Sequence, residues 1–108
     1  MGNTQRFPLR HHPEFFSQAR AASAASAHVW YIPADTTQVT FISSKKKLAL
    51  ATERNRAKRR LKAAMDQVSV PTGLWVILPK AAALHLPLPE MITQLATVMA
   101  TLYDQDSH

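Results

Sequence analysis

Between Arg54 and Lys62 the chain places Arg54, Asn55, Arg56, Lys58, Arg59, Arg60 and Lys62, and upstream Lys45, Lys46 and Lys47 follow directly on Ser44. Ammonium and guanidinium groups at this density are hydrogen-bond donors with no acceptor, so their chemistry is the holding of anions. An ordinary solvated helix face interleaves Glu with Lys so that neighbours three or four residues apart attract one another. Here Glu53 is the single acid among nine bases from Ser44 to Met65. Such self-repulsion is tolerable when the face meets a polyanion, because Lys and Arg that neutralise phosphates release condensed counterions.

The remaining reactive side chains offer no catalytic set. The seven acids, Glu14, Asp35, Glu53, Asp66, Glu90, Asp104 and Asp106, do not cluster as a two-metal nuclease site requires. The five His lack metal-ligand spacing, and His11 and His12 are adjacent rather than a helical turn apart. With two Gly there is no Gly-rich phosphate loop, and with no Cys there is no thiolate site or disulfide, which fits a reducing, cytoplasmic setting. The residues describe a binder of RNA that binds no cofactor itself.

The element that must position these cations is a helix. Ala, Leu, Lys and Arg form helices well and no Pro or Gly interrupts them, so a helix is expected from Lys47 or Leu48 to Gln67. At 100° per residue, Leu50, Ala57, Leu61, Ala64 and Met65 share one arc that can lie on a core. Asn55, Arg56, Lys58, Arg59, Arg60 and Lys62 occupy the remaining arc. Arg54 falls at the edge of the apolar stripe, where its stem can pack while its guanidinium reaches sideways.

The run Ser44-Lys45-Lys46, an alanine-containing spacer ending at Ala51, then Glu53-Arg54-Asn55-Arg56-Ala57-Lys58-Arg59-Arg60-Leu61-Lys62 closely resembles the signature of bacterial ribonuclease P protein subunits. The match is contiguous over about twenty residues, although Leu48 and Leu50 stand where Gly or Lys is common in the family. The resemblance implies a protein that binds the catalytic ribonuclease P RNA, one protein to one RNA, and holds the 5′ leader of precursor tRNA. The RNA and its Mg²⁺ would cut off the leader. Arg54, Asn55, Arg56, Lys58, Arg59, Arg60 and Lys62, with Lys45, Lys46 and Lys47, would contact RNA, and Ser44 would stand near the substrate cleft. A generic RNA-binding or ribosome-associated protein is the alternative, but it leaves the Arg-Asn-Arg context unexplained. A DNA-reading basic zipper fits worse: Lys58 stands where its consensus wants Ala, and Pro71 stops any heptad.

Charge and length agree with one oriented docking face. The chain of 108 residues carries a net +6, of which the stretch 45–62 contributes +8, so the rest sums to −2. One domain is expected over 13–103, after a flexible arm at 1–12 and before a frayed tail at 104–108. No apolar run approaches the length of a membrane span.

Pro13 and Glu14 open a helix expected to end near Ser26. On spacing alone, Phe15 and Phe16 are one core anchor and one half-exposed neighbour. The resemblance implies that an aromatic after an acidic residue lines the leader cleft; Glu14-Phe15 matches, with Phe16 the alternative register. The family's second aromatic, one turn later, is absent, since Ala19 and Arg20 stand there. Val29–Ile32 and Gln38–Ser43 are strand-like runs flanking a turn-like loop, and an antiparallel hairpin is the natural pairing. Of Trp30 and Tyr31, alternation puts one in the core and the other on a stacking surface; the resemblance implies Tyr31 for the cleft.

Leu74-Trp75-Val76-Ile77-Leu78 is an apolar run suited to a central strand covered on both faces. Met91, Ile92, Leu95, Val98, Met99 and Leu102 form the stripe of a packing helix from Pro89 to about Tyr103. The fold expected is α+β, a two-layer sandwich of helices on a small, mostly antiparallel sheet. The residues define three strands; the resemblance adds a short fourth within Ala21–His28 and the order α-β-β-β-α-β-α.

Overall fold

The computed structural model describes residues 14–106. The elements run α1 (Phe15–Gln18), β1 (Arg20–Ser23), β2 (Ala27–Ile32), β3 (Thr37–Phe41), α2 (Ala51–Met65), β4 (Gly73–Pro79), a 3-10 turn (Ala81–Leu84) and α3 (Leu88–Asp106). This is the expected α+β order. The arm expected at 1–12 lies outside the described residues. Of the expected tail, residues 104–106 continue α3, and 107–108 lie outside the described residues.

The first helix is far shorter than its spacing suggests. Ala19 already has extended backbone (φ −72°, ψ 144°), although its N–H still donates to Phe15 O at 2.8 Å. The Ala and Ser side chains that follow would bury little on a helix. As β1 they gain ladder hydrogen bonds, with Arg20 opposite Tyr31, Ala21 opposite Trp30, Ala22 opposite Val29 and Ser23 opposite His28. The first strand expected from the resemblance is therefore present, one residue earlier than Ala21.

The hairpin between β2 and β3 does not form. The sheet order is β1-β2-β4-β3, with β4 antiparallel to β2 and parallel to β3. Trp75, Val76 and Ile77 are all fully buried in β4. A strand with no polar face is most stable between two neighbours and beneath cover on both sides, so it takes the centre and separates β2 from β3. Chain continuity favoured the local pairing, but burial of this run decided otherwise.

One face of the sheet carries α2 and α3. Val29, Tyr31, Trp75 and Ile77 meet Leu61, Met91, Leu95, Met99 and Leu102 in a single core. Each such buried side chain contributes about 1.5–3 kcal/mol relative to exposure. Among the described residues, the opposite face carries only α1: Phe15 lies in a small cluster with Val76, flanked by Ala19, Trp30, Ile32, Ile42 and Leu74. No described helix is long and apolar enough to cross a membrane.

The basic helix begins at Ala51 rather than at Lys47 or Leu48, and ends at Met65. Upstream, Ser44 O accepts from the N–H groups of Lys47 and Leu48, closing a turn. Leu48 is buried and anchors that turn, while Leu50, expected on the apolar stripe, is the helix N-cap residue and is 59% exposed. The stripe is supplied by Ala57, Leu61, Ala64 and Met65, as expected.

Candidate nucleic-acid interface

The cations of α2 divide into two sets. Arg56, Arg59 and Lys62 are exposed, as is the neutral Asn55 among them, and Lys58 is half-buried beside them. None of these side chains has a carboxylate partner among the described residues. Arg54 and Arg60, in contrast, turn back onto the protein. Arg54 Nη1 donates to Leu48 O at 2.9 Å and Ala49 O at 2.8 Å, holding the segment that leads into the helix. Arg60 Nε donates to Ala83 O at 2.7 Å and its Nη2 donates to Leu86 O. The resemblance implies RNA contact for both, and the place of Arg54 at the edge of the apolar stripe implies a guanidinium that reaches sideways. Backbone carbonyls left without partners by the bends at 48–49 and 83–86 claim their donors first.

Ser44 also has a local duty. Its hydroxyl accepts from the Lys46 N–H at 3.2 Å, so the turn that presents Lys45, Lys46 and Lys47 is tied at both its carbonyl and its side chain. All three lysines are exposed. A groove of about 390 Å³ runs between the end of β3 and the first half of α2, lined by Ile42, Ser43, Ala51, Arg54, Asn55 and Lys58. One wall is apolar and the other cationic.

The open face of the sheet holds Phe15, Phe16 and Trp30. Phe15 is 1% exposed and Phe16 46%, so Phe15 is the anchor and Phe16 the available ring. Phe16 stands edge-on to Trp30, with centroids 5.2 Å apart and planes at 83°. Trp30 is half-buried, and His28 lies 6.0 Å from it along β2. Ser23 Oγ and His28 Nδ1 are 2.7 Å apart across the β1–β2 pair. Burial first, then the charges of Lys80 and Lys47, hold the His28 imidazole below its ordinary range.

Tyr31 is not on this face. It is 2% exposed, stacks 4.3 Å from Trp75 beneath the helices, and donates its hydroxyl to Thr72 O at 3.2 Å. The expectation that Tyr31 lines a cleft with Phe15 and Phe16 is corrected: strand alternation exposes Trp30 when Tyr31 is core. Gly73 belongs to the same arrangement. It has φ +145°, and a Cβ there would lie 2.2 Å from Tyr31 Cε1.

His28 is the residue that the sequence reading does not single out, whereas Trp30 stands there as the open alternative to Tyr31. Their signal was period-two alternation with Val29 and Tyr31, which defines the two faces but does not name the covered one. No group of three or more His, Cys, Asp or Glu that could hold a metal exists among the described residues.

Residues 5–103 match the sequence profile of the family Ribonuclease P. Among solved structures, the chain is similar to the RNase P protein from Thermotoga maritima, with 17% identity, a TM-score of 0.74, and coverage of 90% of this chain and 96% of that one. A Staphylococcus aureus RNase P protein mutant with defective mRNA degradation activity gives 15% identity, a TM-score of 0.72, and coverage of 90% and 86%. A search of curated protein sequences gives no significant match. At these identities the structures speak for the fold, and the profile, spanning nearly the whole chain, speaks for descent: the chain belongs to the Ribonuclease P family, as a protein subunit of that tRNA-processing endoribonuclease.

Proposed function

We propose that the protein works from two surfaces. The exposed strip of α2, Asn55, Arg56, Arg59 and Lys62 with Lys58 at its margin, docks on the ribonuclease P RNA together with Lys45, Lys46 and Lys47. The open sheet face, where Phe16 meets Trp30, holds the single-stranded 5′ leader of precursor tRNA. Arg54, Arg60 and Ser44 shape the RNA-docking surface from within, and Phe15 seats Phe16. Residues 13–103 act as one RNA-binding domain, with one protein serving one RNA in the cytoplasm.

The chemistry in this reading belongs to the RNA and its Mg²⁺. The protein's contribution is positional: charge neutralises phosphates on a folded partner, and an aromatic platform grips an extended strand. The observation that carries the reading is the segregation of these two kinds of surface. The exposed cations lie on α2 and the adjoining turn, whereas exposed Phe16, edge-on to half-buried Trp30, lies on the sheet face opposite the α2–α3 layer.

The test is cleavage of precursor tRNA by a bacterial ribonuclease P RNA at low Mg²⁺, with and without the protein. Faster cleavage with the protein, and none by RNA-free protein alone, is expected. Cleavage by the protein alone refutes the reading.

A further inference from the structure

Leu50 is 59% exposed, the most open large apolar side chain among the described residues, and exposed Ala49 and Ala51 stand on either side of it. It is also the N-cap residue of α2. Its backbone is extended (φ −87°, ψ 134°), as capping requires, but its side chain supplies no capping hydrogen bond. Glu53 stands three residues on, so Leu50→Ser would complete a capping box. The protein by itself gains nothing from Leu at this place, which leaves apolar surface in water and the first turn uncapped.

The tip is nonetheless fixed. Leu50 O accepts the Arg54 N–H at 3.0 Å, and the Arg54 guanidinium holds the two preceding carbonyls, Leu48 O at 2.9 Å and Ala49 O at 2.8 Å. Leu48, two residues earlier, is buried. The chain is cationic on both sides of the tip: exposed Lys45, Lys46 and Lys47 precede it, and exposed Arg56 and Arg59 follow on α2.

We propose that Leu50, with Ala49 and Ala51, packs against the face of an unpaired nucleobase in the RNA on which α2 docks, an apolar contact set among phosphate contacts. The proposal rests on the RNA-docking reading above and deepens it. Cations before and after the tip select a polyanion. In a paired RNA helix the base faces are stacked on one another, and ribose, phosphate and base edges are what a protein meets. An unpaired base offers a free apolar face. Leu50 reaches it with little further ordering of the backbone, because Arg54 already holds the segment 48–50.

The experiment titrates the full chain on a bacterial ribonuclease P RNA over a range of salt. Leu50→Ala should lose about tenfold in affinity with the salt slope unchanged, whereas Arg59→Ala should lose affinity with a slope smaller by about 1. Leu50→Lys decides between charge and apolar contact. If the tip meets only phosphates, this variant binds at least as tightly as wild type at every salt, which overturns the proposal. An apolar contact makes it weaker than wild type at high salt, where the added charge is screened. Leu50→Ser controls for folding: its urea midpoint should equal or exceed that of wild type while its affinity falls as in Leu50→Ala. Wild-type affinity in Leu50→Ser, or a loss of affinity only in variants that lose stability, makes Leu50 a structural residue and overturns the contact.

Acylation of the RNA 2′-hydroxyls identifies what the tip touches. One unpaired nucleotide should be protected by wild-type protein and released in Leu50→Ala while the other protections remain. Its replacement by an abasic nucleotide should cost wild type about tenfold and Leu50→Ala nothing further. Release confined to paired nucleotides, or no release, overturns the base contact. If Arg59→Ala and Leu50→Ala both leave affinity unchanged, the RNA-docking reading itself fails, whereas weakening in Arg59→Ala alone removes only the apolar contact.

Discussion

Arg60 Nε donates to the carbonyl of Ala83 at 2.7 Å, tying the middle of the basic helix to the 3-10 turn that precedes α3. The same guanidinium reaches Leu86 O and approaches Met91 Sδ at 3.9 Å. Its neighbour Arg59 is exposed and makes no such bond. Two adjacent arginines thus have separate tasks.

Arg60→Ala is expected to cost about 1–3 kcal/mol of stability, because Ala83 and Leu86 lose a charged donor in a partly buried place. Arg60→Lys should recover only part, since an ammonium cannot span both carbonyls as a planar fork does. Arg59→Ala should change stability by no more than about 0.5 kcal/mol. It should weaken RNA binding and reduce the salt slope by about 1. Urea titration and RNA binding at several salt concentrations check both; equal stability losses in Arg59→Ala and Arg60→Ala would contradict the division.

The aromatics divide in the same manner. Tyr31→Ala should destabilise the fold by about 3–5 kcal/mol, as removal of a large buried ring does. Phe16→Ala should leave the urea midpoint nearly unchanged while reducing the preference for precursor over mature tRNA by about 1–3 kcal/mol, the worth of one stacked base. Trp30→Ala should move in the same direction with some loss of stability, because the ring is half-buried. Comparison of the two tRNA affinities against the unfolding curves separates the roles.

Gly73 is expected to tolerate no side chain. Its φ of +145° is unfavourable for L residues, and the added Cβ would meet both the Tyr31 ring and Ile32 O, the latter at 2.9 Å. Gly73→Ala should lower the thermal midpoint, and shortening the opposing ring in Tyr31→Ala should not restore it, since the backbone strain and the carbonyl clash persist. Calorimetry of the single and double variants tests this.

His28 makes stability depend on pH in a defined direction. Its folded pKa lies below the ordinary 6.5 of the unfolded chain, chiefly through burial and then through Lys80 and Lys47. Between the two values the unfolded chain binds more protons, so the contribution of His28 is present above the unfolded pKa and is lost as pH falls through the folded one. Urea titrations from about pH 7.5 to about pH 5 should show wild-type protein losing more stability than His28→Gln. Parallel profiles would mean that the ring is not shifted.

The sequence by itself determined the helices that carry their own period, and the chemistry of the chain. Leu61, Ala64 and Met65 lay on the inner side of α2, and the α3 stripe from Met91 to Leu102 was readable, because helical periodicity is a local property. The dense cations with one acid told that the partner is an anion, and the Arg-Asn-Arg and Lys-Arg-Arg pairing told the family. What only the tertiary structure decided was non-local. Which strands pair depends on where the apolar β4 run finds cover, and that choice separated β2 from β3. Whether Trp30 or Tyr31 is outside depends on which face receives α2 and α3. Whether an arginine is free depends on carbonyls more than twenty residues away, as Arg60 and Ala83 show. Charge is written in a side chain, but its availability is set by the unsatisfied backbone groups that folding brings within its reach.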